Sequence, residues 1–244
     1  MARLHFKTIE NIRDFTGIRR RDASVINESA CIRSSHLTDL SDEEMELLYK
    51  EMNVRTVIDL RTTMEIREKP DRIPEGVAYY HVPLIDESMM GITHEEETDM
   101  TEKIREIPEM EQMYRELMKS DFTVNGLREV FRIIRERTAV GTVLWHCTEG
   151  KDRCGIVSAL YLTSAGVDFK AVLKDYMMTK RTAGPKACKY FWMILLFRHD
   201  RKLARAVSLA YDVKPKYLKA AFEEIENKYG SVENFLKLIG AENL

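Results

Sequence analysis

The 244-residue sequence predicts an α/β fold: a central, mostly parallel sheet flanked by helices on both faces, with a helical C-terminal half. Three observations predict it. Short β-branched or apolar runs alternate with amphipathic segments through the first two thirds of the chain. From Val167 onward every segment reads as helix. Glycine and proline are sparse, at 11 and 6, so no hinge divides the chain and residues 1–244 are expected to form one domain.

The apolar residues at 30–32 stand before Arg33, Ser34 and Ser35, which suggests a short strand ending in a polar loop. Ser41 and Glu44 have the spacing of a capping box, with Met45, Leu48 and Met52 following at helical intervals. Val54 to Leu60 reads as a buried strand ending in Asp59-Leu60-Arg61, and Val77 to Val82 as another strand. Asp86 to Thr101 is acidic and aperiodic, hence a loop, whose acids at 95–99 read as solvated. Two amphipathic helices are expected over 102–119 and 123–137. Thr142 to His146 is a short strand running straight into Cys147, with a helix over 154–165. Helices at 168–179, 186–209, 215–228 and 231–239 complete the chain, with breaks expected at Pro185 and Pro215. The segments 86–137 and 177–210 have the character of insertions or lids. Phe191 to Phe197 is apolar at every position and reads first as a buried core helix, with a lid or a lipid-facing surface as the alternative.

Composition excludes several classes of function. Lys plus Arg number 38 against 40 for Asp plus Glu, a net charge of −2, which argues against nucleic-acid binding by bulk positive charge. Arg19-Arg20-Arg21 is followed by Asp22 and reads as a solvated turn. The four cysteines are widely spaced without C-x-x-C, and the six histidines show no metal-ligand spacing, so neither a disulfide framework nor a metal site is expected. The N-terminal residues lack an apolar signal core, and the longest apolar run is far too short to span a membrane. A reduced, cytoplasmic protein without an integral membrane segment is the expectation.

The segment His146-Cys147-Thr148-Glu149-Gly150-Lys151-Asp152-Arg153-Cys154-Gly155 lies between a predicted strand and a predicted helix. Such a junction can turn the N–H groups of residues 148–153 inward and add the positive end of the helix, which makes an anion-binding nest. A cysteine at its head should ionise readily. Arg153, six residues on, presents a planar fork that matches two phosphate oxygens. Cys147 as nucleophile and Arg153 as phosphate clamp therefore point to phosphate-monoester chemistry.

His146 to Gly155 resembles the H-C-x-x-G-K-D-R-T-G loop of the atypical bacterial tyrosine phosphatases of family 3, which are similar to dual-specificity and phosphoinositide phosphatases. Asn11-Ile12-Arg13-Asp14 resembles the family's N-x-R-D motif, and Arg33-Ser34 its R-S strand end. Asp59-Leu60-Arg61 with Glu65, then Pro70-Asp71, resembles its D-L-R-[ST]-x-x-E motif, and Tyr217 to Leu238 its C-terminal tail. The resemblance implies a cysteine-phosphatase fold and hydrolysis through a Cys147 thiophosphate, without metal or cofactor. Phosphorylated proteins or phosphoinositides are the implied substrates, protein tyrosine phosphatase activity the first expectation. Cys154 departs from the family's Thr or Ser. Its thiol is a weaker donor to the nucleophile, and a reversible Cys147–Cys154 disulfide or a mere space-filling role are the two readings.

Asp152 is favoured as general acid by its certain proximity, with Asp86 as alternative. Lys151 is either a second cation for substrate or a solvated partner of Glu149. Asp59 and Arg61 either support the loop or phosphate or form a structural ion pair, and His146 is expected to orient the loop. A rhodanese-like sulfurtransferase and a phosphate-binding module without turnover are the competing readings.

Overall fold

The computed structural model describes residues 6–27, 29–87 and 110–242. Most of the loop expected at 86–101, and the start of the helix expected at 102–119, lie outside them. Five strands make one sheet: β1 (Arg13–Asp14), β2 (Cys31–Ser34), β3 (Val54–Asp59), β4 (Ala78–His81) and β5 (Thr142–His146), in the order β1-β2-β5-β3-β4. β1 runs antiparallel to β2, and every other pairing is parallel, as the alternation of strands and helices implied. β5 occupies the middle, with Ser34 and Asp59 both in register with His146. Three strands thus finish side by side, and the chain leaving β5 emerges at their carboxyl edge, where open parallel sheets place ligands.

Ten helices are described: α1 (Asp42–Glu46, continuing as a π-helical turn over Leu47–Glu51), α2 (Thr63–Glu68), α3 (Met110–Lys119), α4 (Asp121–Arg137), α5 (Asp152–Ser164), α6 (Phe169–Met178), α7 (Lys180–Arg198), α8 (Arg201–Tyr211), α9 (Pro215–Tyr229) and α10 (Val232–Leu238). Side chains alternate across the strands and feed two cores. Ile32, Val57 and Leu144 face Leu40, Leu48 and Tyr49. Cys31, Ile58, Val143 and Trp145 join the larger core with Leu127, Phe131, Leu160 and Phe222. The Ser41–Glu44 capping box forms in full.

Four expectations are corrected. The helix after the cysteine loop begins at Asp152 rather than 154, so Asp152 and Arg153 occupy its first turn. Pro185 does not break the chain. It is the sixth residue of α7, where its missing N–H forfeits the one bond to the Arg181 carbonyl and the helix runs on to Arg198. The helix expected over 186–209 is two helices, divided where His199 takes a left-handed conformation (φ 53°) and Asp200 caps α8 through the N–H groups of Lys202 and Leu203. Phe191 to Phe197 is not a buried core helix: Trp192, Leu196 and Phe197 are 53%, 64% and 80% exposed.

Beneath the carboxyl ends of β3 and β5 lies a buried charge network. Arg61 bonds bidentately to Asp59 (Nη2–Oδ2 2.6 Å) and reaches Asp71 (2.6 Å). His146 Nε2 lies 3.1 Å from Asp71 Oδ2, close enough for an ion pair though off the line of a hydrogen bond. Burial opposes the charged imidazole, but Asp59 and Asp71 outweigh it and raise its pKa above the ordinary value. Arg61→Met would leave two buried carboxylates without their guanidinium. Urea unfolding followed by circular dichroism should show a loss of about 3–5 kcal/mol.

Candidate active site

The loop from Cys147 to Lys151 joins β5 to α5, and three of its carbonyls are drawn into the surrounding protein. Thr148 O accepts from His36 N. Gly150 O accepts from Arg33 Nη2 at 2.7 Å and from Asn11 Nδ2. Lys151 O accepts from Arg33 Nη2 at 3.4 Å. In a trans peptide the N–H opposes the carbonyl, so holding these oxygens outward turns the N–H groups of Glu149, Lys151 and Asp152 toward the concave side. Gly150 adopts φ +62°, and a Cβ there would lie 2.5 Å from Ser34 O, so only glycine fits.

Arg33 is fully buried. It is steadied by Asp175 (3.5 Å), which also pairs with Arg13 at 2.9 Å. Burial, then Arg13, lower its pKa to about 10, leaving it charged at neutral pH. The N-terminal Asn11 and Arg13 and the strand-end Arg33 thus converge behind the loop.

At the loop's head Cys147 is buried, which disfavours a thiolate. The neighbouring Cys154 and the guanidinium of Arg153 overcome this and bring its pKa down to about 5. Cys154 is itself pushed well above the ordinary thiol range by burial and by the neighbouring sulfur, so it stays protonated, with its Sγ 3.6 Å from the carbonyl oxygen of Ser34. Both are free thiols. The thiol stands where a hydroxyl was the expected donor.

Arg153 presents its fork to Glu65, at 2.5 and 2.7 Å. Its Nη2 also reaches Thr148 Oγ1 at 3.3 Å. Burial works against ionised Glu65, but Arg153, Thr148 and the N–H of Thr62 hold its pKa down to about 2. Glu65 is also the third residue of a capping box with Thr62 that opens α2, so helix geometry fixes its carboxylate. The sequence carried this signal as Thr62-Thr63-Met64-Glu65.

Asp152 accepts from Tyr114 Oη at 2.6 Å and pairs with Lys151 Nζ at 2.7 Å. Tyr114 Oη also bonds Tyr176 Oη at 2.8 Å. Lys151 is buried and is not the solvated partner of Glu149. Its ammonium binds Asp152 and the carbonyl of Ala210 at the end of α8 (2.9 Å). Glu149 instead pairs with Lys186 of α7 (2.6 Å), which also holds Glu10. Both lysines therefore fasten the α7–α8 hairpin to the loop. Asp86 is half-buried on the segment after β4, where the next residue, Glu87, accepts from Met64 N in α2 at 3.1 Å. Asp59 and Arg61 reach the loop through His146 and make the structural ion pair described above. Asp59, Asp71 and His146 cluster as metal ligands would, but Arg61 already supplies the cation between the two carboxylates.

A family model described as tyrosine phosphatase family matches residues 4–243. The triple specificity protein phosphatase PtpB of Mycobacterium tuberculosis is 27% identical over 89% of this chain and 88% of its own. A putative tyrosine-protein phosphatase of Cupriavidus necator is 28% identical over 96% of this chain and 82% of its own. The core catalytic domain of the PP-IP phosphatase SIW14 from S. cerevisiae, solved with citrate, aligns over 93% of this chain and 94% of that one, at 16% identity and a TM-score of 0.39. With a match across nearly its whole length, the chain belongs to the tyrosine phosphatase family and is a cysteine-dependent protein-tyrosine phosphatase.

Proposed function

We propose that residues 147–153 are the catalytic loop, with Cys147 as nucleophile, Arg153 and the loop N–H groups as phosphate ligands, and Asp152 as general acid and base. The observation that carries this reading is the loop itself: Arg33 holds the carbonyls of Gly150 and Lys151 outward, and Arg153 stands in the first turn of the helix that follows Cys147. The thiolate attacks phosphorus in line, and the bond to the leaving oxygen breaks as Asp152 gives that oxygen a proton. Arg153 turns from Glu65 to two non-bridging oxygens while the N–H groups take the remaining charge. Water then attacks the cysteinyl phosphate, its proton goes to Asp152, and phosphate leaves with the thiolate restored. No step in this sequence calls for a metal. Phosphotyrosyl proteins are the proposed first substrates, with phosphoserine, phosphothreonine and phosphoinositides as further ones, in line with the triple specificity named for the mycobacterial relative. The cytoplasm, where thiols stay reduced, is the proposed compartment.

Cys147→Ser should abolish hydrolysis of p-nitrophenyl phosphate, and a panel of phosphopeptides and phosphoinositides read by phosphate release beside that control ranks the substrates. Retained turnover in the variant would refute the mechanism. A second expectation follows from the lowered thiol. The rate of iodoacetamide inactivation should rise with pH through a midpoint near 5, because the thiolate forms as pH climbs past that value. Thirdly, Asp152→Asn should lower kcat by roughly 10²–10⁴ and flatten the high-pH limb of the pH–rate profile. If Asp86→Asn does this instead, the acid is Asp86.

A further inference from the structure

The α7–α8 hairpin carries a surface that hydrolysis does not use. Trp192 and Leu196 lie one helical turn apart, as do Met193 and Phe197, and all four are exposed along one stripe of α7. Neighbouring charges are of one sign. Residues 180–205 contain eight Lys and Arg against a single acid, Asp200, in a chain whose net charge is −2. Asp200 is moreover spent on the N-cap of α8. Lys189, Arg198, Arg201, Lys202 and Arg205 are exposed around the apolar stripe. Both lysines that tie the hairpin to the loop, Lys186 and Lys151, act at its other end. At 1.5 Å per residue, Phe197 stands about 16 Å along α7 from Lys186.

We propose that the tip of this hairpin is a docking surface for an anionic lipid bilayer: Trp192, Met193, Leu196 and Phe197 enter the acyl–headgroup boundary, and the surrounding Arg and Lys residues pair with lipid phosphates. An aromatic and aliphatic stripe edged by cations has the composition that interfacial helices require. A water-facing lid would not need it, and a purely protein-binding patch would not need five exposed cations beside a single acid already committed to a helix cap. No described helix is long and apolar enough to cross a membrane, so the contact is peripheral. Docking would hold the Cys147 loop near phosphate esters resident in the membrane. That consequence for substrate rests on the phosphatase reading, whereas docking itself does not.

The test is flotation of the full chain with vesicles of phosphatidylcholine alone or phosphatidylcholine with phosphatidylserine, without substrate. Binding is expected only to the anionic vesicles, weakening as salt rises. Trp192 fluorescence should shift to the blue on binding, with Trp192→Phe as its control, because Trp145 is already buried. The double change Trp192→Ser/Phe197→Ser should abolish flotation, and Arg201→Glu/Lys202→Glu should weaken it roughly tenfold or more. Both should leave p-nitrophenyl phosphate hydrolysis within twofold, roughly, since neither touches the loop; that assay also verifies folding. The proposal is overturned if the native chain fails to float, or if flotation survives the apolar double change. It is equally overturned if size-exclusion shows a dimer that this change dissolves while vesicles are ignored, which would make the patch a self-association surface. Failure of docking with phosphatase activity intact would leave the catalytic reading standing.

Discussion

Arg33 is the constraint from which the catalytic loop takes its shape. Its guanidinium lies behind the loop, without solvent, and donates to the carbonyls of Gly150 and Lys151. Those two bonds fix which way the peptide planes face, and so whether the loop offers N–H dipoles or oxygens to an incoming anion. A buried cation is costly alone, and Asp175 shares its charge between Arg33 and Arg13. Asn11 adds a second hold on Gly150. The left-handed conformation of Gly150 is the local result of this pull, and the backbone of Ser34 leaves no room for a side chain there.

A second layer of charge works on the groups that do the chemistry. Glu65 holds the Arg153 fork extended before any phosphate arrives, and the fork exchanges this carboxylate for phosphate oxygens when substrate binds. Its carboxylate is held in turn by the start of α2. Two lysines link the loop to the hairpin above it, one through Glu149 and one through the end of α8. Movement of that hairpin and the electrostatics of the loop are therefore coupled through one ion pair and one hydrogen bond, beside the core contact of Ala183.

How much of this could be read in the sequence depended on how local each interaction is. Cys147, Gly150, Asp152 and Arg153 were legible because an anion nest needs them at fixed short spacing. The Ser41 capping box was legible for the same reason. Glu65 joins Arg153 from 88 residues away, and Arg33 meets Gly150 across 117, so their roles emerge only when the strands come together. Motif resemblance marked those residues without saying what they hold. The hairpin was misread for a different reason. Phe191 to Phe197 has no polar face, so periodicity cannot say which side is buried, and the charged residues that mark an exposed surface lie outside it on either side. Pro185 was a stop signal that the helix overran, losing the one backbone bond its N–H would have made.

The central place of β5 has a consequence for how the chain can vary in length. β5 is paired on both sides, and Cys147 follows its last residue without a spacer. An inserted residue at 142–146 would slip the register and send Trp145 to the opposite face, while one at 147–153 would part the sulfur from its guanidinium. The exposed turn of the α7–α8 hairpin meets no such double restraint. Natural length differences among relatives should therefore gather there, and be absent from the stretch of twelve residues that begins at Thr142.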